Sequence, residues 1–265
     1  MTASLALLPM YDWPELREAT DQYWVSLRES LADYGFPAPK FLTRPEDPLA
    51  CWRHPDLLLA QTCGLPLVEK LAGEVAVVGT PAYNIDCGAG SYFSVIVVHQ
   101  ESRIQDIADI DGAVFGYNDP LSQSGVAAFF FHLSNRGISH TALRKFTRVF
   151  SHRNAIRQLA ERQIDIASID AVTWEIARRH EKATEKLRVI GMTDPTPGLP
   201  LITARQHLRD VDRLHQAVVE AMASLSQSTR DDLLLTGLAA TNEQDYQIIL
   251  NRFNAVRAAI ASNLH

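Results

Sequence analysis

Two serines one residue apart, Ser122 and Ser124, stand in the segment Asn118-Asp119-Pro120-Leu121-Ser122-Gln123-Ser124-Gly125, between an apolar run that reads as a strand and a run that reads as a helix. The first turn of a helix leaves its N–H groups unpaired. Hydroxyls placed there can join those amides in holding an anionic group at the positive end of the helix dipole. The commoner use of serine at such a position is an ordinary helix cap. Ser-Gln-Ser-Gly also departs from the Gly-x-Ser-x-Gly spacing of a nucleophile elbow, and no His/Asp order around it is distinctive, so the pattern favours binding over covalent catalysis. His152 opens a later helix directly after a strand, in Ser151-His152-Arg153-Asn154, and Asp170 closes the apolar run at 164–169. Residues at the carboxyl ends of parallel strands line the ligand crevices of α/β proteins, which makes this donor and this carboxylate candidates for ligand contact. Asp170 is equally suited to cap the helix that follows, and His152 to sit at the surface.

A second group follows earlier strands. Tyr11, Asp12 and Trp13 end the first apolar run, Thr62 and Cys63 occupy the turn after the second, and Tyr83 with Asn84 follows the third. Aromatic residues beside prolines just past strand ends favour a rim over a core, whereas Trp24, Phe129 and Phe131 read as core. Thr62 reads as a helix cap with Cys63 facing a ligand. The three cysteines, Cys51, Cys63 and Cys87, are odd in number and lack both Cys-x-x-Cys and metal-ligand spacing, so neither a disulfide framework nor a zinc site is expected.

The elements that would carry these residues alternate. Strands are expected at 5–8, 56–60, 75–78, 92–99, 113–117, 146–150, 164–169, 187–191 and 201–204. Helices are expected at 16–34, opened by an Asp12/Glu15 capping box, and at 62–71, 125–136, 154–162 and 172–185. Residues 208–262 read as helical with a break near Gly237, and the apolar face of Leu208, Val211, Leu214, Val218, Val219 and Met222 would pack on the lobe formed with residues 1–91, or else serve a partner contact. Strands separated by helices of this length mean an α/β fold with parallel sheets, and so many units exceed one sheet.

In that frame, Asn118 to Gly125 resembles the ligand loop of the phosphate/phosphite/phosphonate-type substrate-binding proteins of ABC transporters. Ser151-His152-Arg153-Asn154 and Asp165-Ile166-Ala167-Ser168-Ile169-Asp170 resemble that family's later segments. The resemblance implies a type 2 periplasmic-binding-protein fold, α/β throughout, with two lobes each built on a mostly parallel sheet flanked by helices and a ligand cleft between them. Residues 1–91 and 193–265 would form one lobe and 92–192 the other, with hinges near 92–99 and 189–195. It implies ligand contacts from Tyr11, Asp12, Thr62, Cys63, Tyr83, Ser122, Gln123, Ser124, Gly125, His152 and Asp170. The implied function is a solute-binding protein that closes on a small anionic or zwitterionic ligand, phosphonate-like, for an ABC transporter permease. A cytosolic enzyme or ligand sensor on the same fold is the alternative. Typical phosphonate binders of the family carry Ser-Thr-Ser where this chain has Ser122-Gln123-Ser124, which replaces one hydroxyl by a longer amide. Asp170 and Asp12 would repel a dianion, so an amine or polar end directed at Asp170 is expected in the ligand.

Composition narrows the classes further. The chain has 265 residues, 46% of them hydrophobic and 21% charged, which excludes disorder and leaves room for one large domain or two. A net charge of -6 without any Lys/Arg block argues against nucleic acid. No apolar run approaches the ~20 residues needed to cross a bilayer, so no membrane insertion is expected. No P-loop or His-Glu-x-x-His is present, and Gly88-Ala89-Gly90 stops short of a dinucleotide fingerprint, so no cofactor or metal is expected. Residues 5–8 lack the basic flank and cleavage signal of an export leader, so the chain as written reads as cytoplasmic; a processed or differently exported form would be periplasmic.

Overall fold

Short runs rich in Val, Ile, Leu and Ala become the strands of this protein, because such runs can be buried on both faces of a sheet. The structure, a computed structural model, describes residues 4–264. In chain order the strands are β1 (Leu5–Leu7), β2 (Leu57–Gln61), β3 (Val75–Tyr83), β4 (Ser91–Tyr92), β5 (Ser94–His99), β6 (Val114–Tyr117), β7 (Lys145–Arg148), β8 (Ile166–Asp170), β9 (Leu187–Met192), β10 (Thr196–Pro197), β11 (Leu201–Ala204) and β12 (Leu235–Ala239). They make two five-stranded sheets and a two-stranded ribbon of β4 with β10. The chain divides into two compact units, Met1–Ser91 with Pro197–Gln247, and Tyr92–Thr196 with Ile248–His265.

The first unit holds the sheet β1-β2-β11-β3-β12. β1 and β2 are parallel, but β11 runs antiparallel to β2 and β3, and β12 antiparallel to β3. The expected mostly parallel sheet is therefore a mixed one, because β11 and β12 are not delivered by strand-helix-strand crossovers. β12 lies in the stretch expected to be helical. Gly237, expected to break a helix, sits instead where the β12/β3 register shifts, the usual place for glycine inside a strand. The expected capping box is also absent: Pro14 starts a 3-10 turn with no side-chain cap at Trp13, and the α-helix begins only at Arg17. That helix, Arg17–Asp33, buries Tyr23, Trp24, Leu27 and Leu31, and Ser30 Oγ donates to the Ala217 carbonyl of helix Val211–Ser224 at 2.8 Å. On the second helix Leu214, Val218 and Met222 are buried, while Leu208 before it stays exposed.

The second unit holds the sheet β7-β6-β8-β5-β9. Here β7, β6 and β8 are parallel, and β5 runs antiparallel to β8 and β9. Phe115 stacks on Phe129 at 4.2 Å between ring centroids, and Phe130 on Phe146 at 5.8 Å, which fixes helix Ala128–Asn135 on the sheet. Phe131 is only half-buried, with the Arg252 guanidinium over its ring. Residues 248–265 group with this unit, not with the first, because Arg252 of helix Gln247–Asn263 also donates to the carbonyls of Asp194 and Pro195. Of the segments expected as hinges, 92–99 and 189–195, residues 94–99 and 189–192 are strand residues of this sheet, and the chain changes unit at 91/92, 196/197 and 247/248.

Candidate functional site

Parallel neighbours end on the same side of a sheet, so β7, β6 and β8 bring three chain segments together at their carboxyl ends. After β6 comes the loop that leads to Ser122; after β7 come Ser151 and His152; β8 ends at Asp170 itself. Antiparallel β5 starts where β8 stops, with Ser94 opposite Asp170. Topology alone thus gathers Ser122, Gln123, Ser124, Gly125, His152 and Asp170, and adds Asn118, Ser94 and Ser168.

The helix after Ser122 opens as a π-turn, Gln123–Ala127, before continuing as the α-helix Ala128–Asn135. Its first bond closes five residues apart, from the Ala127 N–H to the Ser122 carbonyl at 3.0 Å. This turn is wider than an α-turn and leaves the amides of Gln123, Ser124 and Val126 ahead of the ladder, while Ser122 Oγ accepts from the Gly125 N–H at 3.0 Å. Ser94 Oγ and Ser168 Oγ both donate to the Ser124 carbonyl, at 3.0 and 2.6 Å, which clamps the turn to the sheet. Gly125 is dictated by close approach: a Cβ there would lie 2.0 Å from Asn118 Oδ1 and 3.1 Å from His152 Cε1.

Ser124 Oγ lies 2.9 Å from His152 Nε2, and Asp170 Oδ2 lies 3.5 Å from the same nitrogen. In a catalytic triad the hydroxyl and the carboxylate engage opposite ring nitrogens, so this arrangement is not one. Burial pushes the His152 imidazole below its ordinary value, against the Asp170 carboxylate and the Ser168 backbone, which both raise it. Asp170 Oδ1 accepts from the Thr173 N–H at 2.8 Å, so the residue is the helix cap as well as a wall of the site. The Asn118 Oδ1 and Gln123 Oε1 atoms are buried without a hydrogen-bond partner, two acceptors in a loop already holding a carboxylate. The cluster can therefore offer amides and hydroxyls to an anion, and acceptors to a group that carries hydrogens.

The remaining expected residues lie in the first unit. Tyr11 packs edge-on against Tyr83 at 5.3 Å between centroids, and the Tyr83 hydroxyl accepts from Gln61 Nε2 at 2.8 Å. Together with Leu8, Tyr23 and Leu201 they line a cavity of about 40 Å³. Tyr83 is the last residue of β3, which runs five residues past its expected end at Val78. Asp12 is paired with Arg44 at 2.5 Å, and Arg44 reaches on to Asp21 at 2.7 Å, so this carboxylate is neutralised within its own unit. Thr62 is fully buried and caps nothing with its side chain; Cys63 is the residue at the cap position of helix Gly64–Lys70. Among the described residues no group of three or more His, Cys, Asp or Glu could hold a metal ion.

Ser94 and Ser168 escape the sequence reading because strand register, not local spacing, brings them in; Asn118 lies in the loop that the sequence singles out, but its place against Gly125 is set by packing. Of the two serines only Ser168, polar within the apolar run of β8, leaves a trace in sequence.

The model of the family described as ABC transporter, phosphonate, periplasmic substrate-binding protein matches residues 56–246. The chain belongs to this family. The family is one of substrate-binding proteins and not of enzymes. Among curated proteins no sequence match is found. Solved structures share the fold at low identity. A binding-protein component of an ABC phosphonate transporter from Pseudomonas aeruginosa has a TM-score of 0.76 at 15% identity, over 99% of this chain and 90% of that one. A Prochlorococcus marinus protein in complex with methylphosphonate has a TM-score of 0.74 at 16% identity, over 96% and 98%. A Xanthomonas citri protein bound to ATP has a TM-score of 0.73 at 14% identity, over 100% of both chains. This phosphonate-family binding protein thus has the periplasmic-binding-protein fold, and among its described residues no helix is long and apolar enough to cross a membrane.

Proposed function

We propose that this binding protein takes a small phosphonate whose anionic end is held by the amides and hydroxyls of Ser122, Gln123, Ser124 and Gly125, with His152 beside it. An amine or other hydrogen-bearing end of the ligand faces Asp170. The π-turn carries the reading: it frees several amides at one helix start next to two hydroxyls, which is what a tetrahedral oxyanion needs. The carboxylate and the two unpartnered amide oxygens argue that the ligand brings donors too, since an all-acceptor dianion would leave them buried and repelled. Methylphosphonate, the ligand of the Prochlorococcus relative, is the natural first probe. The family description supports delivery to an ABC transporter permease and an exported, periplasmic form over a cytoplasmic one.

Calorimetric titration with methylphosphonate, 2-aminoethylphosphonate, inorganic phosphate and amino acids tests this. Saturable binding of the phosphonates, tightest for the amine-bearing one, is expected; a response confined to phosphate or to amino acids overturns the reading. Fractionation of cells expressing the native gene tests the compartment.

A further inference from the structure

Next to the cluster stands a residue whose backbone is costly. Phe150 has φ +66°, and the Ser151 N–H bonds the Val149 carbonyl across it at 2.8 Å. This is a γ-turn with a positive central φ, a rare and strained form that glycine accepts freely and a bulky side chain does not. Phe150 also lies immediately before Ser151 and His152, yet the residue is 72% exposed, whereas Phe115, Phe129 and Phe130 of the same unit are buried.

The ring is tied to the ligand loop. The Arg148 guanidinium lies over it, 5.2 Å from the centroid, and Arg148 Nη2 donates to Asp119 Oδ2 at 2.7 Å. Asp119 in turn accepts from the Leu121 N–H through its side chain and from the Ser122 N–H through its carbonyl, each at 2.9 Å. Ring, guanidinium and the turn that presents Ser122 to Gly125 therefore form one chain of contacts.

We propose that Phe150 is a specificity residue: its ring packs on the carbon substituent of the phosphonate held at Ser122–Gly125, so that the protein prefers a C–P ligand over inorganic phosphate. This rests on the phosphonate reading above. A methyl or methylene group against the ring removes apolar surface from water, whereas the fourth oxygen of phosphate would lose its hydration there without gaining a partner. Local strain persists where the surroundings impose it and function uses it, and an exposed phenylalanine on a strained turn fits that pattern.

Titration of wild type, Phe150→Gly and Phe150→Leu with methylphosphonate and inorganic phosphate, alongside thermal melts, tests the assignment. The Gly variant should bind methylphosphonate about 10-fold more weakly, with phosphate within about two-fold of wild type, the order expected for one methyl-sized apolar contact. It should also melt no lower, because glycine relieves the turn. The Leu variant should keep part of the preference. Equal losses for both ligands would make the ring a brace for the loop and overturn the proposal, as would unchanged selectivity in the Gly variant. A wild-type protein that binds no phosphonate brings down the phosphonate reading and this assignment with it, whereas a selective wild type with an equally selective Gly variant removes the assignment alone.

Discussion

His152 shows how much of the candidate site is decided by burial of one side chain. The folded protein lowers its pKa, with desolvation outweighing the attraction of Asp170. Below about 6.5, the ordinary value, the unfolded chain therefore binds more protons than the folded one. The contribution of His152 to stability is present in full above that pH and is lost as pH falls towards the folded-state value. His132, also lowered by burial and by Arg136, acts in the same direction. Urea unfolding at pH 7.5 and 5.5 should show a drop in stability that is smaller in His152→Gln than in wild type; an identical drop in both would refute the assignment. Ser122, Ser124 and His152 are legible in the sequence because each opens a helix after an apolar run. The placement of Asn118 is not, since what marks it is the missing Cβ of Gly125 seven residues later in the chain.

Elements add what single residues cannot. Asp170 ends β8 and caps helix Ala171–His180, so of the two roles that its sequence position left open the cap is filled, and contact with the ligand is the role proposed for it above. They can be separated, because asparagine caps a helix as well as aspartate does. Asp170→Asn should leave the melting temperature close to wild type while abolishing the preference for the amine-bearing phosphonate. Asp170→Ala should lose both that preference and about 1 kcal/mol of stability, the usual worth of a cap. Equal destabilisation by the two variants in chemical denaturation would show that the charge, and not the cap, holds this end of the unit together. Most strands and helix starts are readable at this scale, since apolar runs and capping residues are local signals. Strand direction and the π-turn are not: antiparallel β5 and β11 have the same apolar composition as parallel strands, and a first bond closed five residues apart leaves the hydrophobic period of the following helix intact.

For the molecule as a whole, the third passage of the chain between its units matters most. The amphipathic pattern of the last helix, Gln247–Asn263, says that it has a partner surface but not which one, and proximity along the chain points to the first unit. Instead, Ile249, Phe253, Val256 and Ile260 are its buried face, at helical spacing, and the residues it bonds, Asp194 and Pro195, belong to the second. Four large apolar side chains at ~1.5–3 kcal/mol each is an upper figure of ~6–12 kcal/mol, comparable with the whole stability of a typical domain. Deleting residues 248–265 should therefore unfold or loosen the second unit selectively. In hydrogen exchange, amides of β5 and β8 should lose protection while those of β2 and β3 keep theirs, and methylphosphonate binding should vanish with them. Loss of protection in β2 and β3 first would place the helix with the first unit after all.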